Sequence, residues 1–160
     1  MLIGIISDTH DNIFVLRKAV SELKKRGVKT IIHSGDLCAP ITLNELKDFK
    51  VIFALGNVDG DVLSIKNKLD SMNGVFLGFG GVVAIDKKSF AVFHGHYNFI
   101  LESLIKSQEF DYIITGHTHK KRDEKIKRTR IINPGCMYTT HENSFAILDT
   151  EKDAVEFINI

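Results

Sequence analysis

Five times along the 160-residue chain, an apolar run ends in small or acidic residues, mostly together with histidine. The segments are IISDTH (5–10), IIHSGD (31–36), FALGNVD (53–59), VFHGH (92–96) and IITGHTH (113–119). Short apolar runs bounded by turn-forming residues read as buried strands. Functional groups of α/β proteins gather in loops beyond the carboxyl ends of such strands. The five loops would bring together Asp8, His10, Asp36, Asn57, His94, His96, His117 and His119. Six of the seven histidines fall in these segments. One Gly-Asp is a turn signal, but turn chemistry does not account for five runs that end alike.

The stretches between predict the class. LIGIIS (2–7) is a buried-strand run. Ile13, Leu16, Val20 and Leu23 recur at three-and-four spacing, which predicts a helix over 12–26, capped by Asp11 or Asn12 and ended by Gly27. TIIHSGD (30–36) predicts a strand entering a loop, and TLNE (42–45) reads as a capping box opening a short helix. VIFAL (51–55) predicts a third strand and 61–70 a helix. The second half is richer in strand. VFLGF, GVVAI and FAVFHG are short β-rich runs, a helix is predicted over 98–108, and DYIITGHTH (111–119) is a strand ending in a polar loop. TRIIN, SFAILDT and AVEFINI predict paired strands at the end of the chain. The expectation is a single α/β domain over 1–160, with two packed sheets and helices outside them.

Composition narrows the function. A net charge of +1 excludes a chain that binds nucleic acid through its whole surface. No basic segment leads into an apolar one as in a signal peptide. No apolar run approaches the roughly 20 residues of a membrane helix. Two cysteines, Cys38 and Cys136, make no disulfide framework, so a reduced cytoplasmic protein is expected. The lack of cysteine pairs argues against a structural zinc knot. Imidazole with carboxylate and amide oxygen suits Mn, Fe, Ni, Zn or Co. The donors are too many for one ion with an open position. They fit two ions sharing a carboxylate, which at about 3.5–4 Å apart clamp a phosphoryl group and turn water into a nucleophile at neutral pH.

SDTH, GD, GN.D, GH and GHTH, in this order over residues 7–135 with INPG near the end, resemble the calcineurin-like metallophosphoesterase superfamily, and most of all its compact bacterial and archaeal phosphodiesterases. The resemblance implies a sandwich of two mixed β-sheets flanked by α-helices. It implies that Asp8, His10, Asp36 and His119 hold one metal, that Asp36 bridges, and that Asn57, His94 and His117 complete the second. The implied cofactors are two divalent ions among Mn, Ni, Fe, Co, Zn and Mg, with Mn or Ni favoured. The implied reaction is in-line attack of a metal-bound hydroxide on a small phosphoester, nucleotide-like ones included. Two alternatives share the fold: a catalytically silent scaffold like the retromer subunit, and a small nuclease. The intact donor set speaks against the first, and the little length left beyond the core against the second. Nucleic acid and membrane are not expected partners. A homodimer is compatible with the exposed strands and the FINI tail.

Around these donors the readings are individual. His96 is a candidate catalytic group, touching phosphate or nucleophile or supporting the donors from behind. Val58 stands where much of the superfamily has a histidine that protonates the leaving group, and where the compact group often has cysteine. Valine does neither, so good leaving groups should be preferred. Asp59 orients that histidine in relatives; here it is kept as a catalytic candidate, with capping of the next helix as its simpler role. His33 is expected to orient a neighbour, and Thr9, Thr118 and Asn133 to hydrogen-bond the loops. Cys38 and Cys136 are read as buried small residues. KKRDEKIKRTR (120–130), with seven basic and two acidic residues, is either a solvated hairpin or loop, or a basic rim for an anion.

Overall fold

The computed structural model describes residues 1–139 and 142–160. In chain order the elements are β1 (Leu2–Ile6), α1 (Ile13–Lys25), β2 (Thr30–His33), a 3-10 helix (Pro40–Leu46), β3 (Lys50–Phe53), α2 (Val62–Ser71), β4 (Val75–Phe76), β5 (Gly80–Ile85), β6 (Lys88–Phe93), α3 (Asn98–Ser107), β7 (Tyr112–Ile114), β8 (Lys121–Ile126), β9 (Thr129–Pro134), β10 (Ser144–Asp149) and β11 (Ala154–Asn159). They form two mixed sheets. One has the order β11-β10-β1-β2-β3-β4 and the other β5-β6-β7-β9-β8. In the first, β1 to β4 run parallel while β10 and β11 are antiparallel. In the second, β6, β7 and β9 run parallel between antiparallel β5 and β8.

Side chains alternate across a strand, and here both faces are apolar. Ile3, Ile5, Ile32, Ile52, Phe90, Val92, Ile114 and Ile132 point between the sheets. Ile6, Ile31, Val51 and Phe53 point outward, where Leu16, Ala19 and Leu23 of α1 and Ile65 and Leu69 of α2 cover them. Ala91, Ile113 and Ile131 point to the far side, beneath Leu101, Leu104 and Ile105 of α3. Continuous apolar runs are thus buried on both sides, and their polar continuations emerge at one end. None of the helices among the described residues is long and apolar enough to cross a membrane.

Three local expectations need correction, and residues 120–130 take the hairpin form of their two readings. The 3-10 helix starts at Pro40, with Ala39 in the cap position and no side-chain cap. Proline suits the first helical position because its missing N–H would be unpaired there, and the Thr42 hydroxyl bonds Asp11 instead of capping (2.5 Å). Helix α2 is capped by Asp61, whose carboxylate accepts from Ser64 N–H, and not by Asp59. Of VFLGF only Val75–Phe76 is strand, because Gly78 turns the chain at φ 64°. Residues 120–130 contribute β8 and the start of β9, a hairpin with Ile126 opposite Thr129. Much of its charge is neutralised locally: Arg130 bonds Asp123 and Asp153, Arg122 bonds Glu124 and Lys125 bonds Asp153. A basic rim is therefore weaker than the sequence count suggests. Helix α1 meets its expectation, with Asn12 as cap and Gly27 after its end.

Candidate metal centre

The loops after β1, β2, β3, β6 and β7 lie together because their backbones bond one another. Asp8 N–H donates to Gly35 O (2.9 Å), His10 N–H to Asp36 O (3.1 Å) and Gly116 N–H to His94 O (2.8 Å). The Ser34 hydroxyl donates to Thr115 O (3.0 Å), joining the two sheets. Within these loops Asp8, His10, Asp36, His117 and His119 all have positive φ, between 41° and 66°. A non-glycine residue in that region costs about 1–3 kcal/mol and persists only where its surroundings over-determine it. Two glycines make room. A Cβ on Gly56 would collide with the Asp36 carboxylate, and one on Gly116 with the Ser7 hydroxyl and Asp8 Oδ2.

Five side chains converge. His119 Nε2 lies 3.2 Å from Asp8 Oδ1, and His94 Nε2 3.3 Å from Asp36 Oδ2. His10 Nε2 stands 4.0 Å from Asp8 Oδ1 and 3.7 Å from Asp36 Oδ2. Among the described residues, two groups bring donor atoms close enough to share a metal ion: Asp8, His10 and His119, and Asp8, Asp36 and His94. Asp8 belongs to both, while Asp36 Oδ2 lies between His10 and His94.

Asp8 Oδ1, His10 Nε2 and His94 Nε2 are buried without a hydrogen-bond partner. Such orphans are rare and need an explanation. His94 supplies one. Its Nδ1 donates to Ser34 O (2.7 Å), which turns the Nε2 lone pair toward the carboxylates. A lone pair facing anionic oxygen needs a cation between them. Burial pushes His94 down, but the adjoining Asp36 carboxylate and the charge of Asp8 outweigh this and hold it above its ordinary value. Burial likewise pushes Asp36 up, but the adjoining His94 ring and the Val58 N–H hold it low. These residues fit divalent ions.

The other expected residues sit around this nucleus. The exposed His117 ring lies 5.2 Å from that of His94, and its backbone N–H bonds Asp8 Oδ2 (3.0 Å). Asn57 is exposed at the rim. Val58 next to it is 44% exposed, and its N–H donates to Asp36 Oδ1 (3.1 Å). Asp59 is buried and turned away from the centre. Its carboxylate accepts from the N–H groups of Asp36 (2.9 Å), Leu37 (2.8 Å), Cys38 (2.8 Å) and Gly56 (2.7 Å). That geometry spends both oxygens on shaping the Asp36 loop. His96 is half-buried, its ring 5.6 Å from His94 and 6.2 Å from His117, with Nδ1 unpartnered. Burial, and then the neighbouring His94 and His117, hold it below its ordinary value.

His33 is a peg between two loops. Gly35 N–H donates to its Nδ1 (3.1 Å), so the neutral ring carries its proton on Nε2, which faces the Thr9 hydroxyl (3.1 Å). Complete burial, with the charge of His94, depresses it to about 3. Asn133 donates to Gly116 O (2.7 Å) and the Thr118 hydroxyl (3.1 Å). Cys136 is buried. Cys38 is not: it is half-exposed, with Sγ 3.6 Å from His10 Nδ1, because its φ of 79° turns it toward that ring. Partial burial and the charges of Asp11, Asp59 and Asp36 push its thiol up to about 11. Sequence reasoning missed Tyr138, whose ring lies 4.7 Å from that of His10. No spacing signals this contact, since it depends on the link after β9 folding back over the β1 loop.

The model of the calcineurin-like phosphoesterase superfamily domain matches residues 1–153. A Methanocaldococcus jannaschii protein named phosphodiesterase MJ0936 is 38% identical over 158 residues, spanning 95% of each chain. A solved archaeal phosphodiesterase superposes with a TM-score of 0.94 at 36% identity, covering 100% of each chain. Vps29 of Entamoeba histolytica, solved with zinc, superposes with a TM-score of 0.70 at 19% identity, over 100% of this chain and 98% of its own. Likeness at that identity shows the fold alone. With a family match over nearly its whole length, the protein belongs to the calcineurin-like phosphoesterase superfamily.

Proposed function

We propose that this phosphoesterase is a phosphodiesterase working with two divalent ions. The observation that carries the reading is the set of three buried, unpartnered donor atoms, Asp8 Oδ1, His10 Nε2 and His94 Nε2, facing one another. Asp8, His10, Asp36 and His119 would hold one ion, with Asn57, His94 and His117 at the second and Asp36 between. The names borne by the M. jannaschii relative and the archaeal structure support the diesterase assignment. When bound, such ions neutralise phosphoryl charge and supply a nucleophile from water at neutral pH. The mixed imidazole, carboxylate and amide set suits Mn, Fe, Ni, Zn or Co, and among the ions that the family resemblance implies Mn or Ni is favoured.

The chain's own residues have separable tasks. Ser34 O fixes the His94 tautomer, and Val58 N–H holds Asp36 Oδ1 so that Oδ2 faces the histidines. Asp59 holds the Asp36 loop from beneath. His96 is the polar ring nearest the centre that is free to meet the phosphoryl group or the leaving oxygen. Val58 offers no proton, so the acid half of the reaction is weak. The test is hydrolysis of bis(p-nitrophenyl) phosphate by chelator-treated protein resupplied with Mn, Ni, Co or Mg, alongside metal content per chain. Metal-dependent turnover with two ions bound is expected; no turnover with any of them overturns the reading.

A further inference from the structure

Beyond His96 the surface opens into a cavity of about 390 Å³ between β5, β6 and α3. Its walls include Phe79, Val82, Phe93, Tyr97 and Leu104, and its one ionisable imidazole is His96. The volume lies within the usual range for small-molecule sites, which are mostly apolar with few polar groups. Phe79, Val82 and Tyr97 are 69%, 58% and 52% exposed, a concentration of apolar surface that a soluble protein seldom leaves without a purpose. Gly80 and Gly81 add bare backbone to one wall.

The cavity adjoins the candidate metal centre through a single ring. His96 packs against Phe93 (5.5 Å) and Tyr97 (4.3 Å) on the cavity side and against His94 (5.6 Å) and His117 (6.2 Å) on the other. A phosphoryl group held at the centre would therefore carry one organic substituent past His96 into apolar space lined by aromatic edges. Charged or sugar-like substituents gain nothing there, whereas a flat ring does.

Resting on the phosphodiesterase reading, we infer that the cavity beside His96 is a substrate subsite that receives an aromatic substituent of the phosphoester, an aryl or nucleobase-sized ring. The substrate class is thereby narrowed to phosphodiesters bearing such a ring.

The test compares phenylphosphonate with methylphosphonate, which differ only in the ring, by calorimetric titration of the metal-loaded protein. Phenylphosphonate should bind about tenfold more tightly, as burial of a ring predicts. Val82→Asp and Phe79→Ala, at exposed positions away from the donors, should each erase most of that advantage and leave methylphosphonate unchanged. Equal affinity for the two ligands overturns the inference. So does an equal loss for both ligands in the variants, which would mark a structural effect. A fall in solution mass in Val82→Asp with both affinities kept overturns it too, since the groove would then be a contact between two copies. In each of these cases turnover of bis(p-nitrophenyl) phosphate persists. Its absence with every metal is the separate result that removes the parent reading and this one with it.

Discussion

The carboxylate of Asp59 lies beneath the backbone of Asp36, 2.9 Å from its N–H, and ties three further N–H groups of the same neighbourhood. Hydrogen bonds to charged groups contribute about 1.5–3 kcal/mol each, and stranded buried donors are costly. Asp59→Ala should therefore lose at least about 3 kcal/mol in urea unfolding and weaken Mn binding more than tenfold, about the effect of losing an outer partner. Unchanged stability and metal affinity with lost turnover would instead make Asp59 a group of the reaction itself.

Two buried carboxylates in one cluster are best met by cations between them; without metal only the neighbouring imidazoles and N–H groups answer their charge. Asp8→Asn should stabilise the metal-free protein by about 1 kcal/mol, as relief of active-site strain commonly does. It should also abolish the rise in melting temperature that Mn produces. For the unaltered protein, Mn at 100 times its Kd should add about 2.7 kcal/mol. Thermal melts with chelator and with metal check both, and a destabilised Asp8→Asn would contradict the account.

His33 makes metal-free stability pH-dependent. Its native pKa, about 3, lies below the ordinary 6.5. The unfolded chain therefore takes up the proton first, so the contribution is complete above pH 6.5 and falls as pH drops toward 3. By pH 5.5 the loss from this group is about 1.4 kcal/mol. His33→Gln, which still offers an acceptor to Gly35 N–H, should lose less over that interval. Parallel urea curves for the two proteins, with no difference in slope against pH, would contradict it.

Val58 is exposed and joined to Asp36 only through its backbone, so a new side chain there need not disturb the core. Val58→His should raise kcat on alkyl phosphodiesters with poor leaving groups by about 10²-fold, the lower range of general acid catalysis. It should change p-nitrophenyl esters little. No gain on alkyl esters would remove the acid-catalyst account of this position.

The two-sheet α/β architecture and the gathering of polar groups at strand ends followed from patterns visible in the sequence: apolar runs long enough to be strands, each ending in candidate donors. Asp8, His10 and Asp36 follow the parallel strands β1 and β2 of one sheet, His94 and His119 the parallel strands β6 and β7 of the other, and the two sets meet where the sheets end together. What escaped the sequence was how short polar side chains are shared out between loops. Asp59 lies two residues before the true cap, Asp61, yet reaches N–H groups at positions 36 to 38. Thr42 has the form of a cap, but its hydroxyl turns away and donates to Asp11. Cys38 looked like filler until its left-handed backbone turned it toward His10. Each of these choices is made by a partner more than 20 residues away, which no local pattern records.

The left-handed backbone at Asp8, His10, Asp36, His117 and His119 has a consequence for substitution at these positions. Glycine is at ease in that region, so replacing one of these donors by glycine relieves strain while it removes the chemistry. Strain and chemistry are thus opposed at each of these positions, and what would make the loops easier to fold would empty the centre. All five positions carry donor-type side chains where glycine would suit the backbone with less strain.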